Sequence, residues 1–282
     1  MTATLAPAGA SIDLVAHLGP DAPILEADGV SVAYGERTVV EAATLRLAMG
    51  ERIALVGPNG AGKSSLLRAL TGVLRPTAGV VRLCGTPIDD LERRTVARVI
   101  AVVPELAQLP FGMPVEDVVA LGRLPHEPPL TGLRDADRLA VDAAMERVGV
   151  THLRTRDART LSMGERQLVF IALALAQEAA ILVLDEPTVH LDIRHQVEVL
   201  ELLARLHAGG TTVIAVLHDL AMAGHFFPRI AVVDGGRIVV DGPPAEALDD
   251  ARIRSVFGVD PGYVRLATTA ASPAPGAPTA TA

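Results

Sequence analysis

The chain has 282 residues, half of them hydrophobic, and a formal net charge of −8. This length suits one large domain or two closely packed ones. The acidic balance gives no basic surface for phosphates, so we expect no nucleic-acid partner. The single cysteine, Cys84, cannot form an internal disulfide, which fits a reducing compartment. The longest apolar run is far shorter than the roughly 20 residues needed to cross a bilayer, and no secretory signal pattern precedes it.

Both ends are rich in small residues and proline, and we predict that residues 1–22 and 267–282 are disordered extensions of a domain at 23–266. Near the start of that domain, two β-rich segments predict antiparallel strands of a side sheet. Further along, apolar strand patterns alternate with helical patterns, which predicts an α/β fold with a mainly parallel sheet. The predicted side-sheet strands are 24–35 and 38–50, the buried strands are 52–57, 180–186 and 211–219, and the helices are 63–72, 165–178 and 193–210.

A phosphate-binding loop follows the first buried strand and opens the first of these helices. It matches G-x-x-x-x-G-K-[ST], in which backbone N–H groups and a helix N-terminus surround an anion. Lys63 is predicted to reach the terminal phosphates and Ser64 to ligate Mg²⁺. The alternative is a Gly-rich turn with a solvated lysine. The predicted nucleotide-binding residues of this loop are Gly57, Pro58, Asn59, Gly60, Ala61, Gly62, Lys63, Ser64 and Ser65.

Two carboxylates end the buried strand pattern "ILVLDEPT" at residues 181–188. Burial of an ionised carboxylate is costly without a partner, and parallel strands bring their carboxyl ends to one edge of the sheet. Asp185 is therefore predicted to hold Mg²⁺ through water beside the phosphate loop, and Glu186 to take a proton from the attacking water. The alternative is a pair of acidic residues at a point where a strand reaches the surface.

The segment "LSMGERQ" at 161–167, placed between the phosphate loop and "LVLDEP", closely resembles the signature of ATP-binding-cassette (ABC) ATPases. The resemblance implies a RecA-like P-loop core, an N-terminal antiparallel β subdomain and a helical signature subdomain at about 106–165. It implies further that Ser162, Gly164 and Glu165 contact ATP held by a second copy in a head-to-tail dimer. By itself the segment also fits an ordinary Ser-x-x-Glu capping box.

Further matches extend the resemblance over roughly residues 24–266. Tyr34 occupies the place of the family's adenine-stacking aromatic, although a strand tyrosine can equally pack in a core. Asp192 matches a family residue at the interface between the two copies of the head-to-tail dimer. His218 matches the histidine that senses the γ-phosphate, with a histidine capping a strand end as the alternative. The segment "DGGRIVVDGPPAEAL" at 234–248 is similar to the hairpin and helix that close the fold.

Two positions depart from the family pattern. Glu105 stands where the family has a glutamine that touches Mg²⁺ and the attacking water, and the spacing of the downstream "PVEDVVALGR" does not support moving that role to Gln108. A carboxylate keeps the oxygen ligand but lacks the NH₂ donor, so we expect Glu105 to retain metal contact and to alter coupling or Mg²⁺ dependence. Met163 replaces the first signature glycine, while Gly164 is present.

Several segments are most similar to the importer branch that takes up iron–siderophore complexes, haem or cobalamin. The resemblance implies an ATPase at the cytoplasmic face of the membrane, with permease subunits as partners and a periplasmic or lipoprotein substrate-binding protein as an indirect one. Soluble ABC ATPases of translation or DNA repair form a rival class; such proteins usually carry two cassettes or a long coiled coil, and this chain has neither. A P-loop kinase is a third possibility, which leaves the signature segment and His218 without a role.

Overall fold

Two β-sheets form the framework in a computed structural model that describes residues 22–105, 112–126 and 132–268, together with Leu14, Val15 and Leu18. The larger sheet has six strands and the smaller has four. The strands are Leu25–Tyr34 (β1), Arg37–Leu47 (β2), Arg52–Val56 (β3), Ala78–Leu83 (β4), Thr86–Pro87 (β5), Ile100–Val103 (β6), Ile181–Asp185 (β7), Thr212–Val216 (β8), Arg229–Asp234 (β9) and Arg237–Gly242 (β10).

Helices connect most of the strands of the larger sheet. The α-helices are Lys63–Leu70 (α1), Arg93–Val99 (α2), Val115–Ala120 (α3), Asp135–Val148 (α4), Met163–Ala176 (α5), Ile193–Ala208 (α6), Leu220–Phe226 (α7), Pro244–Ala247 (α8), Asp250–Arg252 (α9) and Pro261–Thr268 (α10). Short 3₁₀ turns lie at Ile88–Asp90, Leu121–Arg123, Thr151–Leu153 and Ala158–Thr160, and a π-helical turn lies at Ile253–Phe257.

The larger sheet has the order β10-β9-β3-β8-β7-β6 and is parallel except for the edge strand β10. Successive side chains of the central strands point alternately into two hydrophobic cores, one on each face of the sheet. Ala54 and Val56 of β3 face one core and Ile53 and Leu55 face the other. Because both faces are covered, these strands are apolar throughout, as parallel strands in α/β proteins are. The predicted mainly parallel α/β fold is confirmed.

The smaller sheet is antiparallel, in the order β2-β1-β4-β5, as the side-sheet prediction requires. Its buried side chains share one hydrophobic core with α1 and one face of the larger sheet. A backbone hydrogen bond of 2.8 Å from the N–H of Glu41 to the carbonyl of Gly236 joins β2 to the β9–β10 turn. The smaller sheet is thereby fixed beside the carboxyl ends of the central strands.

Helices α3, α4 and α5 pack together on the core that Ala54 and Val56 of β3 face. A buried ion pair, with 3.0 Å between Arg123 Nε and Asp137 Oδ1, ties this group together. Arg94 and Arg98 of α2 both donate to the carbonyl of Pro125 at 2.8 Å, which links the group to the main sheet. The subdomain boundaries predicted at 106 and 165 stay a prediction, and residues 106–111 and 127–131 lie outside the described residues.

Most of the predicted disordered ends also lie outside the described residues. Within them, Leu14, Val15 and Leu18 lie against the core that the two sheets share, and the last described helix, α10, runs to Thr268.

Candidate nucleotide-binding site

Three glycines of the loop between β3 and α1 have positive φ, and two of them also approach neighbouring backbone closely. Gly57 has φ 156° and Gly62 has φ 98°. A Cβ atom on Gly57 would lie 2.0 Å from the carbonyl oxygen of Val233, and one on Gly62 would lie 2.3 Å from that of Val39. Only glycine fits at these two positions, because the loop backbone lies so close to the two carbonyl groups. The loop is thus held between β9 and β2, and α1 begins directly after it.

Lys63 lies at the first position of α1 and is only 5% exposed. Its Nζ donates to the carbonyls of Gly57 at 2.8 Å and Pro58 at 3.0 Å. Burial lowers the pKa of this ammonium, while Glu186 and Asp185 act in the opposite direction. A buried cation at a helix N-terminus, next to a loop of backbone N–H groups, is a favourable place for a phosphate.

Asp185 and Ser64 lie side by side. The Ser64 hydroxyl donates to Asp185 Oδ1 at 3.0 Å, which joins the last residue of β7 to the first turn of α1. Asp185 is 7% exposed, and burial raises the pKa of its carboxyl group, against the lowering effect of the Ser64 hydrogen bond. Two oxygen groups therefore converge at the phosphate loop, where a cation would remove the electrostatic cost of the buried carboxylate.

Glu186 turns away from Asp185 because its backbone has φ 53°, an uncommon conformation for a residue with a side chain. Its Oε1 lies 2.5 Å from His218 Nε2, so the residue after β7 meets a residue just after β8. The sequence placed both residues at this edge but did not predict their direct contact. Strain of this kind is found at functional sites more often than elsewhere.

An open pocket of about 370 Å³ lies over the loop. It brings together most of the predicted phosphate-loop residues with Glu186 and His218. The lining residues are Arg37, Val39, Asn59, Gly60, Ala61, Gly62, Lys63, Ser64, Ser65, Glu186 and His218. Arg37 and Val39 were missed by the sequence analysis. Their only signal was proximity in sequence to Tyr34, and it did not indicate that β2 runs along the loop.

Tyr34 and Glu105 are not among the lining residues. Tyr34 ends β1 and is 48% exposed, so it does not pack in a core as the bare strand pattern allowed. Glu105 is exposed two residues after β6, which pairs with β7 through Val103 and Leu184. Glu105 therefore lies at the same edge of the larger sheet as Asp185, because β6 and β7 are parallel neighbours.

The signature segment at 161–167 also lies outside the pocket. Ser162 and Glu165 form a reciprocal capping box, with Glu165 Oε2 accepting from the N–H of Ser162 at 2.8 Å. This cap starts α5 at Met163, two residues before the predicted helix. Gly164 packs against His195, since an added Cβ would lie 2.4 Å from that ring. His195 Nδ1 lies 2.9 Å from Asp192 Oδ1, so Asp192 and the signature segment are joined through one histidine.

The residues at the loop fit a magnesium ion that arrives with phosphates. Mg²⁺ prefers hard oxygen ligands, takes one or two from protein and completes its shell with water and phosphate oxygens. Ser64 and Asp185 supply such oxygens. No cluster of three or more His, Cys, Asp or Glu that could hold a metal ion occurs in the described part of the chain.

Comparison with protein families identifies the chain: residues 40–189, more than half of its length, match the model described as ABC transporter. The chain belongs to the ABC transporter family. ATP-binding subunits of this family hydrolyse ATP to power transport, so this ABC protein binds ATP and is an ATPase.

Characterised relatives of this ABC protein are ATP-binding proteins of importers. It is 41% identical to the ferric enterobactin transport ATP-binding protein FepC of Escherichia coli, over 83% of this chain and 87% of the relative. It is 44% identical to the hemin import ATP-binding protein HmuV of Rhodopseudomonas palustris, over 83% and 88%. It is 35% identical to the iron(3+)-hydroxamate import ATP-binding protein FhuC of Bacillus subtilis, over 84% and 88%.

Solved structures agree with this assignment. An inward-facing ABC transporter described as metal-chelate type matches with a TM-score of 0.75 and 27% identity, over 84% of this chain and 90% of the other. The cbiO1 protein of Clostridium perfringens, part of the ABC transporter complex cbiONQ, matches with a TM-score of 0.71 and 28% identity, over 87% and 99%. None of the helices in the described ranges of this ABC protein has the length and apolar character needed to cross a membrane.

Proposed function

We propose that this ABC protein is the ATPase subunit of an importer for metal chelates of the iron–siderophore or haem type. The observation that carries the proposal is the 3.0 Å hydrogen bond from Ser64 to Asp185, since Ser64 lines one pocket together with the phosphate loop and Glu186. In this arrangement the triphosphate lies over the loop, with Lys63 and the N-terminus of α1 beneath the terminal phosphates.

Glu186 is the general base of the proposed hydrolysis. Water attacks the γ-phosphorus and the Glu186 carboxylate accepts its proton, while the bond from the γ-phosphorus to the β–γ bridging oxygen breaks, so that ADP leaves and inorganic phosphate is formed. His218 holds Glu186 in place through the 2.5 Å contact and is positioned to respond to the γ-phosphate, because both residues line the pocket. The strained backbone and the contact with His218 meet in the same residue, since Glu186 has φ 53° and pairs with His218.

Ser64 and Asp185 would hold Mg²⁺, Asp185 through water, with Glu105 as a further oxygen ligand from the neighbouring strand. When bound, the ion neutralises charge on the phosphate oxygens. The convergence of a hydroxyl and a buried carboxylate supports this assignment. Burial raises the pKa of Asp185, and a bound cation would offset the cost of keeping that carboxylate ionised.

The working unit is proposed to be a head-to-tail pair of copies bound to permease subunits. Ser162, Gly164, Glu165 and Asp192 do not line the pocket of their own chain, and neither does Tyr34. We assign Tyr34 to the adenine of the same copy and the signature segment, with Asp192 at the interface between the copies, to the nucleotide of the partner copy. A helix N-terminus such as that of α5 is suited to a phosphate.

The transported class is proposed from the relatives, which act on ferric enterobactin, hemin and iron(3+)-hydroxamate. The protein would then lie at the cytoplasmic face of the membrane and act with a periplasmic or lipoprotein substrate-binding protein that selects the cargo. The domain would span residues 23–266, with the ends outside it.

Uptake in a strain that lacks this gene tests the proposal. We expect reduced accumulation of a labelled ferric siderophore or of haem, restored by the wild-type protein. Glu186→Gln should not restore it, because loss of a general base lowers turnover by about 10²-fold or more. Cobalamin uptake serves as a third arm. Normal accumulation of both the ferric siderophore and haem in the deletion strain would overturn the assigned cargo, whether or not cobalamin uptake falls, whereas a wild-type protein without ATPase activity would overturn the catalytic assignment.

A further inference from the structure

Arg37 is an exposed arginine at the start of β2 that lines the nucleotide pocket. No ion pair or side-chain hydrogen bond of Arg37 is found among the described residues, whereas other arginines of this region are paired. Arg46 pairs with Glu26 at 2.7 Å, and Arg237 pairs with Glu41. Arg37 thus presents a free guanidinium to the pocket.

The position of Arg37 is fixed by its strand. Val39, two residues along β2, lines the same pocket, and side chains at such a spacing point to one face of a strand. The carbonyl of Val39 approaches Gly62 so closely that a Cβ there would lie 2.3 Å away. β2 therefore runs against the phosphate loop and aims the side chains of Arg37 and Val39 at the space above it.

Tyr34 and Arg37 are direct partners across the turn between β1 and β2. Side chains of directly opposed residues lie on the same face of a hairpin. Arg37 lines the pocket with the phosphate loop and Tyr34 does not, so Arg37 is the one of these two neighbours that faces the loop. If Tyr34 marks the position of the base, Arg37 marks the phosphates nearer to the loop.

Arg37 and Lys63 are the arginine and the lysine among the residues that line the pocket, and they differ in their contacts. The ammonium of Lys63 is buried and donates to two loop carbonyls, so it serves the phosphates from below. An arginine on the opposite wall adds a planar donor group, which binds phosphate oxygens with paired hydrogen bonds.

We propose that Arg37 binds the phosphate chain of the nucleotide from the wall formed by β2 and raises the affinity for ATP and ADP. The inference rests on the proposed nucleotide site and adds a residue to it from the smaller sheet.

Equilibrium binding of ATP, ADP and adenosine to the purified full chain tests this role, with displacement of a fluorescent nucleotide as the readout. Arg37→Gln should weaken ATP and ADP by about tenfold, the effect of one charge-assisted hydrogen bond, and leave adenosine unchanged. Arg37→Lys should recover part of the loss, because the charge remains without the planar fork.

Arg75→Gln is the matched control. It removes the same charge from a side chain that is 83% exposed and lies outside the pocket, so its ATP affinity should stay within about twofold of the wild type. Wild-type ATP affinity in Arg37→Gln, an equal loss in Arg75→Gln, or an equal loss for adenosine would each overturn the inference. A wild-type chain that fails to bind ATP would instead overturn the proposed function, a separate result.

Discussion

At the scale of single residues, Asp185 and Glu186 are neighbours in sequence with different surroundings. Asp185 still belongs to β7, is buried and accepts from the Ser64 hydroxyl. Glu186 has left the strand through a positive φ and meets His218. The positive φ of Glu186 therefore separates a buried carboxylate that meets a hydroxyl from a carboxylate that meets a histidine. The two acids that end the apolar strand can thus serve the two different roles that we propose for them.

The prediction at the scale of single residues concerns Glu105 and the dependence of the ATPase rate on Mg²⁺. If Glu105 is the metal ligand that we propose, Glu105→Gln removes a negative charge from the site and replaces a strong oxygen ligand with a weaker one. We expect the Mg²⁺ concentration for half-maximal ATPase rate to rise several-fold, with nucleotide affinity in the absence of Mg²⁺ increased. The measurement is an Mg²⁺ titration of ATPase activity at fixed ATP. Glu198→Gln, an exposed change on α6, is the control, and an unchanged rate and titration in Glu105→Gln would refute the role.

At the scale of elements, the phosphate loop depends on close contact with β2. Gly62 and Gly210 provide a matched test, since their φ values are 98° and 92° but only Gly62 has a neighbour in the space of a Cβ. Gly210→Ala should cost about 1 kcal/mol of unfolding free energy for the left-handed backbone alone. Gly62→Ala should cost at least about 2 kcal/mol and lose nucleotide binding, because the loop must move off β2. Urea unfolding measures both; equal costs would show that the contact with Val39 is unimportant.

The elements also show what sequence could and could not predict. β3, β7 and the phosphate loop were predictable because a buried strand, a glycine pattern and a helix start are local signals. The start of α5 was placed two residues late, since the apolar pattern was preferred over the Ser162–Glu165 cap. The contacts of His218 with Glu186 and of His195 with Gly164 join residues that are far apart in sequence. Such contacts depend on sheet register and packing, which local patterns do not specify.

At the scale of the whole molecule, the signature segment and the nucleotide pocket are separate surfaces of one chain. The pocket lining includes none of Ser162, Gly164 or Asp192. Met163 is a large apolar side chain exposed at the start of α5 beside them. Two copies in head-to-tail contact would bring each signature segment to the other copy's phosphates, and the symmetry of such a pair closes both sites at once.

This arrangement predicts that trapped ATP holds two copies together. Glu186→Gln should bind ATP, fail to hydrolyse it and elute as a dimer in size-exclusion chromatography with MgATP, because the shared triphosphate is not removed. Adding Lys63→Ala to the same chain should return it to the monomer, since Lys63 is the buried cation of the phosphate loop and its loss should weaken ATP binding. Ser162→Arg in the Glu186→Gln background should keep ATP binding per copy but block pairing, because Ser162 lies outside the pocket. A Glu186→Gln chain that binds ATP and remains monomeric would contradict the shared site, while one that binds no ATP would contradict the placement of Glu186 as a base rather than a binding residue.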